Sequence, residues 1–207
     1  MESAFRTTEG VKLIETLGWD GMRYARLDLH LSRLAASAQR LGFVCEGAQA
    51  ALQDAAPDRP ARVRLTLDAA GVLEVTTAAL PPGKPIWRIA LSPNRLVASD
   101  PWLSVKSTNR THYDNARAAL EPGVDEVIFA NQAGELCEGS ITNLFFDLGT
   151  GLATPPCHCG LLPGVLRAEL LANGQCKEQV LSVSDAPKAR LWVGNSLRGL
   201  IPATLLA

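Results

Sequence analysis

Two short stretches hold the residues best equipped for covalent chemistry. The first, Ser104 to Arg110 (SVKSTNR), places one amine, Lys106, among hydroxyl, amide and guanidinium groups. The second, Glu135 to Phe146 (ELCEGSITNLFF), places a carboxylate, Glu138, before Gly139 and a short apolar run. A primary amine held out of bulk water can condense with a carbonyl and then take or return a proton. A fixed carboxylate can keep a neighbouring nitrogen protonated. The chain has five lysines, at 12, 84, 106, 177 and 188. Lys12 opens a predicted strand, Lys84 sits in a Pro/Gly turn, and Lys177 and Lys188 stand among polar neighbours. Those four read as solvated, and Lys106 stands apart from them beside a dense polar cluster.

VKSTNR followed by E-L-C-E-G-S-I-T-N-L-F resembles the fold-type IV pyridoxal phosphate enzymes, which include branched-chain and D-amino acid aminotransferases and aminodeoxychorismate lyases. Gly160-Leu-Leu-Pro-Gly164 and Gly194-Asn-Ser-Leu-Arg-Gly199 follow in the family's order. Each motif alone is weak, whereas four in order are strong; the resemblance runs from about Leu13 to the C-terminus. It implies an α+β, two-domain, D-amino acid aminotransferase-like architecture and pyridoxal 5'-phosphate as cofactor. Lys106 would hold the cofactor and Glu138 would pair with its ring nitrogen.

The resemblance also places further residues. Leu27-Asp-Leu-His-Leu-Ser-Arg33 is similar to the segment whose arginine holds the cofactor phosphate, and a guanidinium fork suits a phosphate dianion. The turn at Gly164, Val165 and Leu166 would grip the phosphate through the N–H groups of a helix start. Aminotransferases of the family usually carry Thr where Leu166 stands, so contact there is expected through backbone. Asn195 and Ser196 would complete the cradle. Arg110 and Arg198 are expected to meet substrate carboxylates. Asn143 reads as a residue that pins backbone, and His30 as a structural residue near a helix start.

These residues must be positioned by an ordinary set of elements. Lys12 to Trp19 reads as a strand, Asp20-Gly21 as a hairpin turn and Met22 to Leu27 as the returning strand. Asp28 stands at a helix N-cap position, and Leu31, Leu34, Ala38 and Leu41 follow at helical spacing up to Gly42. Residues 46 to 60 suggest a short helix and a loop. Ala61 to Leu67 alternates as a half-buried strand, with partners at 72 to 78 and 86 to 91, so the first half reads as one antiparallel sheet with helices. Predicted domains are 1–95 and 105–207, with 96–104 as linker. In the second half, a helix over 113–120, strands over 124–129 and 140–147, a helix over 164–173 and strands over 178–183 and 190–193 are expected.

At 207 residues and a net charge of −1 the chain carries no large basic surface for nucleic acid or anionic membrane. No apolar run reaches membrane-spanning length. The first residues show no secretory leader, and five cysteines form no secreted framework. A cytoplasmic location is therefore expected. Cys157-His-Cys159 lacks the second cysteine pair of a zinc site, so no metal is expected.

The leading expectation is a pyridoxal phosphate lyase that converts 4-amino-4-deoxychorismate to 4-aminobenzoate and pyruvate. The alternatives are a class IV aminotransferase using the same residues and a non-catalytic module that keeps the fold. The Asn195 to Arg198 loop favours the lyase. The partners implied are a small amine-bearing carboxylate substrate and a second copy of the chain. Similar proteins carry about one more hairpin before the strand at Lys12, a difference expected to alter substrate-side walls and the dimer.

Overall fold

The computed structural model describes residue 5 and residues 8–206. Most of the stretch read for a leader, residues 1–4 and 6–7, lies outside the described residues. The chain forms two compact units. The first runs to Pro82 and takes in Val105–Asn109, and the second comprises Gly83–Ser104 and the chain from Arg110 onward.

In the first unit β1 (Leu13–Trp19), β2 (Ala61–Leu67) and β3 (Leu73–Ala78) form an antiparallel sheet in the order β1-β2-β3. β2 shows why: Ala61, Val63, Leu65 and Leu67 are buried while Arg62 and Arg64 face water, the period-two pattern of a strand with one apolar face. The hairpin expected at Asp20-Gly21 does not form. Asp20 Oδ1 accepts from the N–H groups of Met22 and Arg23, each at 2.8 Å, which closes an Asx turn. A single bridge, Trp19 to Tyr24, replaces the returning strand, and the ladder partner of β1 is β2. Helix α1 (Leu27–Leu41) starts too soon to leave room for a strand.

The cap of α1 also differs from expectation. The capping position is Arg26, in the left-handed region at φ 55°, and Asp28 lies inside the first turn. There its charge favours the helix N-terminus. The helix ends at Gly42 as expected, with φ 71° and its N–H turned back to Ala38 and Gln39 carbonyls. Helix α2 (Ala48–Asp54) follows. The segment 105–109 docks on β1. Ile14 N–H donates to the Lys106 carbonyl at 2.9 Å, and Thr108 N–H to the Lys12 carbonyl at 2.8 Å. Lys106 is thereby fixed by strand-type bonds.

The second unit is built on β4 (Trp87–Leu96), β5 (Glu126–Asn131), β6 (Leu136–Gly139), β7 (Asn143–Asp147), β8 (Ala153–Thr154), β9 (Lys177–Glu178), β10 (Arg190–Asn195) and β11 (Gly199–Leu205). Their order is β10-β11-β4-β5-β6-β7-β8-β9, and β10 also pairs with β7. Six strands therefore close into a barrel, while β8 and β9 extend from β7. Strand β4 is parallel to both its neighbours. Helices α3 (Thr111–Ala118) and α4 (Val165–Ala172) belong to this unit.

Strand β7 is apolar on both faces, and each face has a partner. Leu144 and Phe146 pack with Ile128, Leu136, Leu191 and Val193, whereas Phe145 between them packs with Leu166 and Leu170 of α4. Burying a phenylalanine contributes roughly 1.5–3 kcal/mol. A slip of one residue would exchange the two faces, so packing specifies the register. That register sets Glu138 of β6 opposite Asn143 of β7, and Asn143 opposite Gly194 of β10.

Several expectations change here. The strand expected at 86–91 extends to Leu96 and joins the barrel instead of the first sheet. The unit division accordingly falls after Pro82, not near residue 95. The stretch expected as a linker, 96–104, carries Leu96 and Leu103 into a core cluster with Tyr113 and Phe129. The strand expected at 178–183 shrinks to Lys177–Glu178, and β11 had no counterpart in the reading. Its Pro202 and its flanking glycine mask a strand pattern in the sequence.

Candidate active site

Glu138 is buried, 4% exposed, in the middle of the second unit. Its Oε1 accepts from the Tyr113 hydroxyl at 2.5 Å and from the Leu162 N–H at 3.1 Å. Its Oε2 accepts from Asn143 Nδ2 at 3.4 Å. Asn143 Nδ2 also donates to the Leu162 carbonyl at 2.9 Å, the backbone-pinning role expected of it. Burial, and after it the neighbouring Glu138 charge, push the Tyr113 hydroxyl far above its ordinary value of 10.0. Tyr113 therefore stays a donor at any working pH. Burial likewise pushes Cys137 up to about 12, so this thiol beside Glu138 stays neutral.

The turn after Glu138 is held by a second buried acid. Glu126 is 0% exposed. Its Oε1 accepts from Val127 N–H, Ser140 N–H and Ser140 Oγ, and its Oε2 from Ile141 N–H and Thr142 Oγ1, at 2.5 to 3.1 Å. Arg117 lies 3.5 Å from it. Gly139 must be small here, since an added Cβ would lie 2.5 Å from Thr142 Oγ1 and 2.8 Å from Glu126 Cδ. This explains Glu-Gly-Ser in physical terms. The turn wraps a carboxylate whose donors leave no room for a side chain.

Of the residues predicted to bind phosphate, Gly164, Val165, Leu166, Asn195 and Ser196 belong to the second unit. Gly164 caps α4 with no side-chain hydrogen bond, so the first N–H groups of that helix, at Val165 and Leu166, are not capped by a side chain. Leu166 and Gly194 are close neighbours; a Cβ on Gly194 would lie 3.0 Å from Leu166 Cδ2. Asn195 Nδ2 donates to the Ile141 carbonyl at 3.1 Å, and its Oδ1 accepts from Leu197 and Arg198 N–H groups. Asn195 thus ties the β10–β11 turn to the turn after Glu138, and Ser196 lies in that turn.

The two arginines expected at substrate carboxylates are engaged elsewhere in this structure. Arg110 donates to Asp114 at 2.8 Å and to the Ser140 carbonyl at 3.0 Å, and its guanidinium lies 5.5 Å from the Tyr113 ring centroid. It braces the helix that carries Tyr113. Arg198 lies 5.1 Å from the Trp87 ring centroid, a cation–π arrangement.

Lys106 and Arg33 belong to the first unit. Arg33 forks onto Glu15 of β1, with Nε to Oε1 at 2.8 Å and Nη2 to Oε2 at 2.6 Å. No local sequence signal announced this pairing with a buried acid. His30 Nδ1 meets the same Glu15 Oε2 at 2.6 Å. Burial acts to raise Glu15, but the Arg33 charge and the bonds from His30 and Arg33 outweigh it and hold the carboxyl below its ordinary value. His30 is pushed down mainly by burial, and the charges of Arg33 and Lys106 add to this against the pull of Glu15. His30 is structural, as its place near the helix start suggested.

Tyr113 and Glu126 were missed by the sequence reading. Glu126 carried a signal: an acid directly before the apolar run Val127 to Phe129 must be paired if buried. Tyr113 carried none beyond its helical position. Among the described residues, no group of three or more His, Cys, Asp and Glu side chains could hold a metal ion. No helix among them is long and apolar enough to cross a membrane.

The model of the amino-transferase class IV family matches residues 12–206, and the chain belongs to that family of pyridoxal phosphate-dependent enzymes. A Schizosaccharomyces pombe protein whose name proposes an aminodeoxychorismate lyase is 32% identical over 185 residues, covering 82% of this chain and 77% of its own. A Mesorhizobium loti structure whose name proposes an amino-acid aminotransferase is 43% identical, with a TM-score of 0.87, covering 95% of this chain and 100% of its own. The Pseudomonas aeruginosa 4-amino-4-deoxychorismate lyase shares the fold at 23% identity and a TM-score of 0.80, over 94% of this chain and 83% of its own.

The residues present fit the family's cofactor on structural grounds. A glycine-capped helix start without a side-chain cap suits a phosphate. The space beside Gly164 is already taken, since an added Cβ would lie 1.8 Å from Asn143 Oδ1. A buried carboxylate with fixed donors suits a protonated ring nitrogen.

Proposed function

We propose that the protein is a pyridoxal phosphate-dependent lyase that converts 4-amino-4-deoxychorismate to 4-aminobenzoate and pyruvate. The observation that carries the reading is Glu138, a buried carboxylate oriented by Tyr113, Leu162 and Asn143. The lyase name of the S. pombe relative supports the substrate. When bound, the cofactor supplies an aldehyde that captures amines and a ring that accepts an electron pair.

The chain's own residues divide the remaining work. Lys106 is the amine that would hold the cofactor and that would take the proton from the amine-bearing carbon of the substrate. Glu138 holds a proton on the ring nitrogen. Val165 and Leu166 N–H groups, with Arg33, Asn195 and Ser196, bind the phosphate. Arg110 and Arg198 remain the proposed partners of the substrate carboxylates. A second copy of the chain and a cytoplasmic setting belong to the same proposal.

The second reading is a class IV aminotransferase, favoured by the name of the 43% identical M. loti structure. The same lysine would then carry the proton for transfer of an amine from an amino acid to a keto acid. The test offers aminodeoxychorismate without a keto acid, and separately an amino acid with a keto acid. Pyruvate release in the first mixture is the expected result. Amino transfer in the second alone establishes the aminotransferase. Borohydride reduction followed by peptide mapping should label Lys106, and a Lys106→Ala protein should take no label. A protein that never changes its absorbance with pyridoxal phosphate removes both enzymatic readings.

A further inference from the structure

Tyr113, which touches Glu138 closely, enters the scheme above only as one of its contacts. The Tyr113 hydroxyl lies 2.5 Å from Glu138 Oε1, and the ring is held from several directions. Arg110 lies over its face at 5.5 Å, Phe129 stands perpendicular to it at a centroid distance of 5.3 Å, and His112 packs at 3.9 Å. Arg110 is itself tied to Asp114 and to the Ser140 carbonyl. That carbonyl belongs to the turn that follows Glu138 in the chain. The tyrosine is therefore clamped to the same backbone that carries its acceptor, and its O–H has little freedom to turn away. Side chains packed this tightly position a charge within a narrow range.

We infer that Tyr113 is a positioning residue for the cofactor's ring nitrogen, acting through Glu138: its hydroxyl fixes one carboxylate oxygen in place as an acceptor and so favours the charged carboxylate that the nitrogen needs. The inference rests on the reading of Glu138 as the ring partner. A hydrogen bond to a charged acceptor is among the stronger kinds. The neutral tyrosine keeps this role throughout the working range because its hydroxyl does not ionise there. Arg110 then has a definite part as well, as the brace that holds the tyrosine ring.

The test is a double-mutant cycle read by cofactor binding, not turnover. Wild type, Tyr113→Phe, Glu138→Gln and the double variant are titrated with pyridoxal phosphate and followed by visible absorbance. Tyr113→Phe should weaken binding about tenfold, since loss of one charge-assisted hydrogen bond is worth about one decade. The same change in the Glu138→Gln protein should alter binding less than about twofold, because coupled residues are non-additive. A purely structural tyrosine would weaken binding equally in both backgrounds, and that result overturns the inference. So does a Tyr113→Phe protein that binds like wild type.

A wild type that never binds the cofactor removes the functional reading and this inference with it. A wild type that binds separates the two. Should Tyr113→Phe fail to fold, 3-fluorotyrosine serves instead. The chain has two tyrosines, Tyr24 and Tyr113, so a Tyr24→Phe protein labels one site. Fluorination makes the phenol a stronger donor, and tighter binding is expected. Unchanged or weaker binding of the fluorinated protein overturns the inference.

Discussion

Asn143 Oδ1 occupies the space that a Gly164 side chain would need: an added Cβ would sit 1.8 Å away. Strand β7 and the start of α4 are thereby in contact through an amide and a bare backbone. Gly164 has φ −68° and ψ 148°, which any residue adopts, so glycine is required here for room and not for conformation. Asn143 in turn bonds Glu138 and the Leu162 carbonyl. Gly164→Ala must push that amide off both partners. We expect a loss of about 2–3 kcal/mol in denaturant unfolding, as for an overpacked core site. Cofactor affinity should fall with it. Asn143→Ala should relieve most of the clash, so the double variant should lose less than the sum of the single losses.

Glu126 sets a second expectation. Its Oε2 accepts from Ile141 N–H and Thr142 Oγ1. In Glu126→Gln, an amide NH2 replacing that oxygen would face those two donors; flipping it would instead face Val127 and Ser140 donors. Neither orientation satisfies the site. Loss of about 3–5 kcal/mol is expected, the usual cost of disrupting a buried charge network, measurable by urea unfolding. An effect below about 1 kcal/mol would mean that the turn is held by its packing alone.

Much of this was readable before the structure because it rests on local spacing. Gly42 ends α1 and Pro163-Gly164 opens α4 through backbone chemistry that a few residues specify. Lys106, Glu138 and Asn143 stand out because polar groups beside apolar runs must be placed by something. What was unreadable is non-local. Nothing near Trp87 announces a parallel partner at Glu126 and another at Ala203. So β4 read as part of the first sheet. Glu15 gives no local sign of its partners, which lie 15 and 18 residues on. Tyr113 meets Glu138 across 25 residues, a separation at which helical spacing carries no information.

The Glu15 and His30 pair predicts how the first unit responds to acid. Glu15 is held below its ordinary 4.5 in the folded chain. Its contribution is therefore complete above that value and lost as pH falls through the folded-state value. His30 is held below its ordinary 6.5, chiefly by burial. The folded chain binds its proton less readily than the unfolded chain, so its contribution is also complete above 6.5 and declines as pH falls. Both act in the same direction. The melting temperature should fall as pH drops below about 6.5 and fall again as it drops below about 4.5. His30→Gln should flatten the upper part of that decline and Glu15→Gln the lower part. A flat profile in wild type would show that neither group differs between folded and unfolded chains.

Arg33 carries two assignments that a paired-ligand experiment separates. It forks onto Glu15, and it is our proposed partner for the cofactor phosphate. Arg33→Lys keeps a positive charge but loses the planar fork that both tasks use. If the residue serves the fold alone, the variant should bind pyridoxal phosphate and unphosphorylated pyridoxal with equal losses. If it also serves the phosphate, affinity for pyridoxal phosphate should fall about tenfold further than affinity for pyridoxal, the worth of one charge-assisted contact. We expect the second outcome, together with a lower melting temperature. The two effects come apart at Glu15→Gln. There the fork onto the carboxylate is lost while the arginine remains, so stability should fall and the preference for the phosphorylated ligand should persist. A Glu15→Gln protein that loses that preference would mean that the acid, by orienting Arg33, is itself part of the phosphate site.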